Sequence, residues 1–260
     1  MGHERIGFLP KTKQWKTIVD QLADYGTGSD TVAQIADTTL TCIRTLYEEL
    51  PYEESLIKSV RFLVLLSTSA NQPNQQNYLF QNGISVDPQL SLFSILGSAN
   101  KYIETATDSL ECTKIAKDAI LQTVTAYQRT HAQNQISLFG GDDSESVWAN
   151  VGTGAAFCEL ARSFVATFTD RQLRYFIERS AASAINDYSR LQMFSAGITE
   201  QAEAISHHAF ETSKIMQSFA AGWFNNHTAS GLPSDNEIVG FLRMSFGKMR
   251  EEFRREAEEL

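Results

Sequence analysis

Apolar side chains recur every three or four residues along most of this chain, which is the spacing of one face of an α-helix. No stretch of useful length alternates apolar and polar residues as a half-buried strand does. The pattern therefore predicts an all-α protein, a multi-helix bundle of about eight to ten helices. The predicted helices span residues 13–25, 30–50, 53–69, 89–105, 108–129, 155–168, 169–188 and 199–225, with a short helix near Tyr78 and a last helix from Ser234.

The helix predicted at 53–69 differs from the others because it is apolar nearly all round. Its densest part is the run Phe62, Leu63, Val64, Leu65 and Leu66. A helix without a polar face is typical of the interior of a bundle. We therefore expect it to lie at the centre of the fold.

Two short stretches carry the capping-box signature, in which a Ser or Thr is followed three residues later by Glu or Gln. Thr169 and Gln172 form the first, and Ser234 and Glu237 form the second. Each signature predicts that a new helix begins at its first residue.

The polar stretch at residues 131–146 contains Gly140 and Gly141 and shows no apolar helical pattern. We predict that it is the longest loop of the chain. A loop of this length is a candidate boundary between an N-terminal helical subdomain at 1–130 and a C-terminal one at 147–260. A single continuous domain is the alternative.

The composition and charge exclude several classes of protein. The 260 residues include 22 Lys and Arg against 31 Asp and Glu, and the net charge of −9 argues against nucleic acid as a strong direct partner. With 42% hydrophobic residues and only 5 prolines, the chain is too apolar to be disordered. No apolar run approaches the roughly 18 residues that a membrane-spanning helix needs.

The cysteines indicate the redox environment. Cys42, Cys112 and Cys158 are widely separated and form no CxxC pair. Each lies in an apolar helical pattern, so we expect buried free thiols and no disulfide. The first residues also lack the basic and then apolar pattern of a secretory signal. Together these features predict a location in the reducing cytoplasm.

Few residues are spaced for catalysis or metal binding. The chain has neither a G-x-x-x-x-G-K-S/T phosphate loop nor a G-x-S-x-G elbow, so the sequence predicts no catalytic residue and no cofactor. The best candidate metal ligands are Glu203, His207 and Glu211, which lie four residues apart and hence on one face of a helix. A helical metalloenzyme that uses these three residues is one hypothesis.

Inside the predicted loop, five consecutive residues form a more specific pattern: Gln135, Ile136, Ser137, Leu138 and Phe139. This pentapeptide resembles the motif by which many bacterial proteins bind the sliding clamp of DNA replication, whose preferred form is Gln-Leu-Ser/Asp-Leu-Phe. Four of the five positions match, and Ile136 is a conservative departure. The resemblance covers these five residues alone and implies nothing about the rest of the chain.

The side chains of the pentapeptide suit the docking of an extended peptide. Leu138 and Phe139 supply apolar anchors for a preformed pocket, and the Gln135 amide can both donate to the pocket rim and accept from it. The resemblance therefore implies a non-enzymatic bacterial interaction protein whose partner is the sliding clamp. Its role would lie in replication, in repair or in a multi-component system such as antiviral defence.

A further interpretation involves no clamp contact. Leu138 and Phe139 can instead fold back and hold the loop against the core. The protein would then be a helical adaptor or assembly subunit that binds other protein subunits. Its partner surface would be the amphipathic C-terminal helix at 237–260 or the apolar stripe near Trp223.

Overall fold

The computed structural model describes residues 13–25, 31–107, 109–133, 144–185, 187–211, 219–229 and 231–259. Among these residues every regular element is a helix, which confirms the all-α prediction. Ten of the helices in the described ranges have seven residues or more, in agreement with the predicted eight to ten.

The α-helices of the described residues are, in chain order, α1 (Lys13–Asp24), α2 (Val32–Cys42), α3 (Arg44–Glu49), α4 (Glu54–Ser69), α5 (Gln75–Gln81), α6 (Leu92–Glu104), α7 (Leu110–Gln133), α8 (Ser144–Ala149), α9 (Gly154–Ala184), α10 (Tyr188–Glu211), α11 (Phe219–Thr228) and α12 (Asp235–Glu259). A 3₁₀ turn at Leu50–Tyr52 joins α3 to α4.

Helix α4 lies at the centre, as its all-round apolar pattern predicts. It contacts α5, α6, α7, α9 and α12, and every residue at positions 62–69 is buried. The hydroxyls of Ser59, Thr68 and Ser69 donate to carbonyl oxygens three or four residues earlier in the same helix. These hydroxyls are therefore satisfied inside the apolar interior by carbonyls of their own helix, and Thr68 also shares a hydrogen bond of 3.2 Å with the Tyr78 hydroxyl on α5.

Helix α9 is one continuous helix of 31 residues, so the predicted helix start at Thr169 is wrong. Thr169 is 0% exposed and Gln172 is 5% exposed, so both lie inside the packed bundle. The preceding residue, Phe168, packs its ring at 5.6 Å from the ring of Phe246 on α12. Apolar packing on both sides of the signature keeps the chain helical through it, because tertiary contacts override local capping preferences.

The actual start of α9 is capped by Thr153, whose hydroxyl accepts a hydrogen bond from the Ala156 amide at 3.1 Å. Gly154 follows directly, and a Cβ at this position would lie 2.7 Å from the Asn225 side-chain oxygen. The added Cβ would also lie 3.0 Å from the Ala221 carbonyl oxygen, so a larger residue would crowd the place where α9 and α11 come close together.

The second capping box is confirmed at the start of α12. The Ser234 amide donates to the Glu237 carboxylate at 2.7 Å, and the Glu237 amide donates back to the Ser234 hydroxyl at 3.4 Å. From there α12 packs against α2, α4 and α10 and closes the bundle.

One cluster of buried apolar side chains runs through the described residues, from Trp15 on α1 to Phe253 on α12. It includes side chains from both predicted subdomains, such as Leu63 on α4 and Phe164 on α9. The boundary between them stays a prediction, because residues 134–143 lie outside the described residues.

Two further predictions from the sequence concern membrane-spanning helices and the state of the cysteines. Within the described ranges, no helix is long and apolar enough to cross a membrane. Cys112 and Cys158 are buried and Cys42 is half-buried, and within the described residues none of the three is part of a disulfide.

Candidate functional site

The pentapeptide at 135–139 lies outside the described residues, but the structure places the elements on either side of it. Helix α7 continues to Gln133 and α8 begins at Ser144. The predicted loop at 131–146 is therefore wrong at both ends, since its first three and last three residues are helical. The interval between the two helices is 134–143.

Contacts to the body hold both helices next to this interval. In the last turn of α7, the His131 Nε2 atom lies 3.1 Å from both carboxylate oxygens of Glu159 on α9. The His131 ring also lies 4.2 Å from the ring of Tyr127, which in turn lies 5.5 Å from the ring of Trp148 on α8. These contacts explain why helix extends into the stretch that polarity alone predicts to be a loop.

Beside these contacts, a cleft of about 250 Å³ opens between α7, α9 and α10. Its polar lining includes Thr123 and Tyr127 from α7, Glu159 and Arg162 from α9, and Glu203 and His207 from α10. The cleft thus collects side chains that are separated by up to 84 positions along the chain.

The predicted metal ligands are only partly placed at this cleft. Glu203 and His207 are exposed on α10 and line it, as their spacing on one helix face predicts. The side chain of Glu211 lies outside the described side chains. Among the described residues, no group of three or more His, Cys, Asp or Glu side chains is placed to hold a metal ion.

The residues that face Glu203 and His207 are not identified by any sequence motif. Glu159 and Arg162 lie one turn apart on α9, near its start, within a stretch that reads as ordinary apolar helix. The one feature of the sequence that could have pointed to Glu159 and Arg162 is that they are charged residues inside an apolar helical pattern. The sequence does not show which helix these residues would meet. The packing of α9 against α10 brings the two charged pairs together.

The environment of Tyr127 raises the pKa of its hydroxyl. Burial, and after it the negative charge of Glu159, raise the pKa of Tyr127 to about 12. A phenol is neutral at physiological pH even at its ordinary pKa of 10, and this shift moves Tyr127 further from ionisation, so its hydroxyl can donate a hydrogen bond at the edge of the cleft.

The surfaces named for the adaptor alternative are largely internal. The apolar face of α12 is buried in the bundle, including Phe241, Phe246 and Phe253. The ring of Trp223 lies 4.7 Å from the ring of Phe241 and 5.8 Å from that of Phe157. The apolar stripe near Trp223 therefore packs against α9 and α12 of the same chain.

Comparison with known proteins adds no relative to these observations. No protein-family model, no curated protein and no solved structure matches the chain. The function is therefore argued from the residues and their arrangement.

Proposed function

We propose that this chain is an interaction protein that docks on the bacterial DNA sliding clamp through the pentapeptide at 135–139. The observation that carries the proposal is the match of four of its five residues to the clamp-binding pattern. Docking would bring an acidic helical body to sites of replication or repair, or to a multi-component system such as antiviral defence, in the cytoplasm. The chemistry needs no catalytic residue and no cofactor from this chain.

The position of the pentapeptide between α7 and α8 supports the proposal. The interval 134–143 contains ten residues, and an extended chain of that length measures about 33 Å. Helix α7 is held to α9 by the contact of His131 with Glu159, and α8 is held to α7 by the contact of Trp148 with Tyr127. A partner bound at 135–139 would therefore be linked firmly to the body of the protein.

The test is binding of the purified protein to a purified bacterial sliding clamp, for the wild type and for the double variant Leu138→Ala/Phe139→Ala. We expect the wild type to bind and the double variant to lose binding, because the two apolar anchors supply most of the affinity of such a short peptide. The matched control is Phe93→Ala/Leu110→Ala, which removes the same two side-chain types. Phe93 is 87% exposed and Leu110 is 85% exposed, so this control should bind as the wild type does.

Two results would overturn the proposal. One is the absence of wild-type binding at tens of micromolar, which corresponds to a free energy weaker than about −6 kcal/mol. The other is retained binding in the Leu138→Ala/Phe139→Ala variant. Either result would leave the adaptor interpretation, and its partner surface would then lie outside the buried faces of α11 and α12.

A further inference from the structure

We propose that a cleft at the end of α4 binds a small neutral polyol of the size of a monosaccharide. The cleft lies beside the turn that follows α4, next to α5 and the end of α11, and its volume is about 450 Å³. We call it the amide cleft, because Asn71, Gln72 and Asn82 line it. It shares no lining residue with the cleft between α7, α9 and α10, and its occupation does not depend on the sliding clamp.

The lining of the amide cleft is polar but uncharged. Besides the three amides, it contains the hydroxyls of Thr68, Tyr78 and Thr228, and no charged side chain is among the described residues that line it. A ligand with a net charge would lose water there without gaining a partner of opposite charge, which is unfavourable. The lining therefore favours a neutral ligand.

The hydroxyl protons of the cleft already have acceptors within the protein. The Thr68 hydroxyl donates to the Val64 carbonyl oxygen at 2.8 Å. The Thr228 hydroxyl donates to the Phe224 carbonyl oxygen, also at 2.8 Å. Because the Thr68 proton is used in this way, Tyr78 is the donor in the 3.2 Å contact between the Tyr78 and Thr68 hydroxyls. The oxygens of Tyr78 and Thr228 are therefore left as hydrogen-bond acceptors.

The three amides keep both donors and acceptors for a ligand. One amide hydrogen of Asn71 is donated to the Gly152 carbonyl oxygen, and one of Asn82 to the carbonyl oxygen of residue 78, each at 2.8 Å. These bonds hold both side chains in place before a ligand binds. Their side-chain oxygens, and the whole side-chain amide of Gln72, have no hydrogen-bond partner among the described residues.

Hydroxyl groups match this set of free donors and acceptors. A hydroxyl donates one hydrogen bond and accepts two, so one group can donate to the Tyr78 or Thr228 oxygen and accept from an amide hydrogen of Gln72. A ligand that carries only acceptors would leave the free oxygens of the cleft unpaired. Several hydroxyls on one small frame, as in a sugar ring, satisfy the lining most fully.

The size of the cleft and its apolar surface also suit a sugar ring. A water molecule takes about 30 Å³ of liquid volume, so the cleft has room for roughly fifteen waters, and a hexose has about twelve non-hydrogen atoms. Leu232, which is 38% exposed, and the Tyr78 ring add apolar surface to the lining. The C–H groups of a sugar ring can pack against such surface.

The experiment is a ligand-observed NMR titration of the full chain at pH 7 with glucose, galactose, mannose, N-acetylglucosamine, ribose and myo-inositol. Glucosamine and glucuronate are the matched charged probes, because each has the glucose ring with one charge added. We expect at least one neutral compound to bind with a dissociation constant in the low millimolar range, and both charged probes to bind about tenfold more weakly than that compound.

Two results of this titration would overturn the proposal. One is the absence of binding by all six neutral compounds at about 10 mM. The other is a charged probe that binds as tightly as the best neutral compound, because the cleft would then not select against charge.

Two variants locate the binding at the amide cleft. Gln72→Ala and Tyr78→Phe should each weaken the binding of that compound by about fivefold, because each removes neutral hydrogen bonds to the ligand. The matched controls are Gln89→Ala and Tyr52→Phe, which change exposed residues of the same types outside the cleft and should leave the affinity unchanged.

The result for Gln72→Ala decides the location even if Tyr78→Phe is less stable, because Gln72 is exposed and its replacement leaves the core intact. Unchanged affinity in Gln72→Ala would overturn the assignment to this cleft. None of these variants touches residues 135–139, so a failure here is distinct from a failure of the clamp proposal.

Discussion

The two halves of α9 are held in the bundle by different kinds of contact. In its first half, the ring of Phe157 stacks at 4.7 Å on the ring of Phe224 and lies 5.8 Å and 5.9 Å from the rings of Trp223 and Phe241. Phe157 is 0% exposed. This half is attached to α11 and α12 by burial of aromatic surface.

In its second half, α9 is attached to α10 by a network of polar side chains. The Arg174 guanidinium donates to the Asp170 carboxylate oxygens at 2.9 Å and 3.0 Å, and it also donates to the Ser195 carbonyl at 2.5 Å. The Thr199 hydroxyl donates to Asp170 at 3.0 Å. The network spans two helices and leaves the charged groups little exposed, at 21% for Arg174 and 14% for Asp170.

The difference shows how one helix can combine two forms of stabilisation. The stabilisation from burying aromatic side chains is roughly proportional to the surface area removed from water, and it does not depend on the charge state of any group. A polar network stabilises only while all its members are present, because the removal of one leaves another partly buried and unpaired. The following substitutions test this difference in order of decreasing effect.

The largest effect is expected for Phe157→Ala in the aromatic half. Loss of a fully buried ring with three aromatic neighbours should lower the free energy of unfolding by about 4 kcal/mol. The measurement is urea denaturation followed by circular dichroism. Phe93→Ala is the control, because Phe93 is 87% exposed and should change the stability by less than about 0.5 kcal/mol. Similar losses for the two variants would contradict the aromatic packing described for Phe157.

An intermediate effect is expected for Asp170→Ala in the polar half. The substitution leaves the Arg174 guanidinium without its main acceptor and should lower the free energy of unfolding by about 2 kcal/mol. The control is Glu178→Ala, which removes the other carboxylate near Arg174, at 3.5 Å and 65% exposed. This control variant should lower the free energy of unfolding by about 0.5 kcal/mol or less. If both variants lost the same stability, the network would contribute no more than a surface ion pair.

The smallest effect is expected at an exposed polar contact, the start of α4. Glu54 is 41% exposed and accepts hydrogen bonds from Lys58 and from the Thr107 amide and hydroxyl. The hydrogen bond from Lys58, followed by those from Thr107, lowers the pKa of Glu54 from 4.5 to about 2. Because the pKa is lower in the folded state, this stabilisation is present above pH 4.5 and is lost as the pH falls towards 2.

The variant Glu54→Gln tests this dependence on pH. Solvent screens the contact, so the variant should be less stable than the wild type by only about 0.5 kcal/mol at pH 7. The difference should shrink between pH 4.5 and pH 2 in thermal denaturation of the two proteins. A difference that stays constant over that range would show that the Glu54 carboxylate contributes nothing through its charge.

Much of the fold could be predicted from local sequence, and the errors have a common cause. The apolar run at 62–66 correctly predicts a central helix, and the Ser234 and Glu237 pair correctly predicts the start of α12. The same signature at Thr169 and Gln172 fails because those side chains are buried between packed helices. A local capping preference amounts to about 1 kcal/mol, which is less than the burial of the aromatic residues around it.

The candidate sites were predictable to different degrees. The pentapeptide at 135–139 is identified by residue types alone, because an extended docking peptide needs side chains in order and little else. The spacing of Glu203 and His207 correctly places them on one helix face. Spacing within one helix, however, does not show that Glu159 and Arg162 lie opposite them.

The sequence by itself determined the helical class, the central helix α4 and the pentapeptide proposed to bind the clamp, because each depends on the order and spacing of neighbouring residues. Only the tertiary structure decided that α9 is continuous and that its charged residues share a cleft with those of α10. The reason is that a periodic pattern shows which side of a helix is buried. The partner of that side depends on how all the helices pack together around one core.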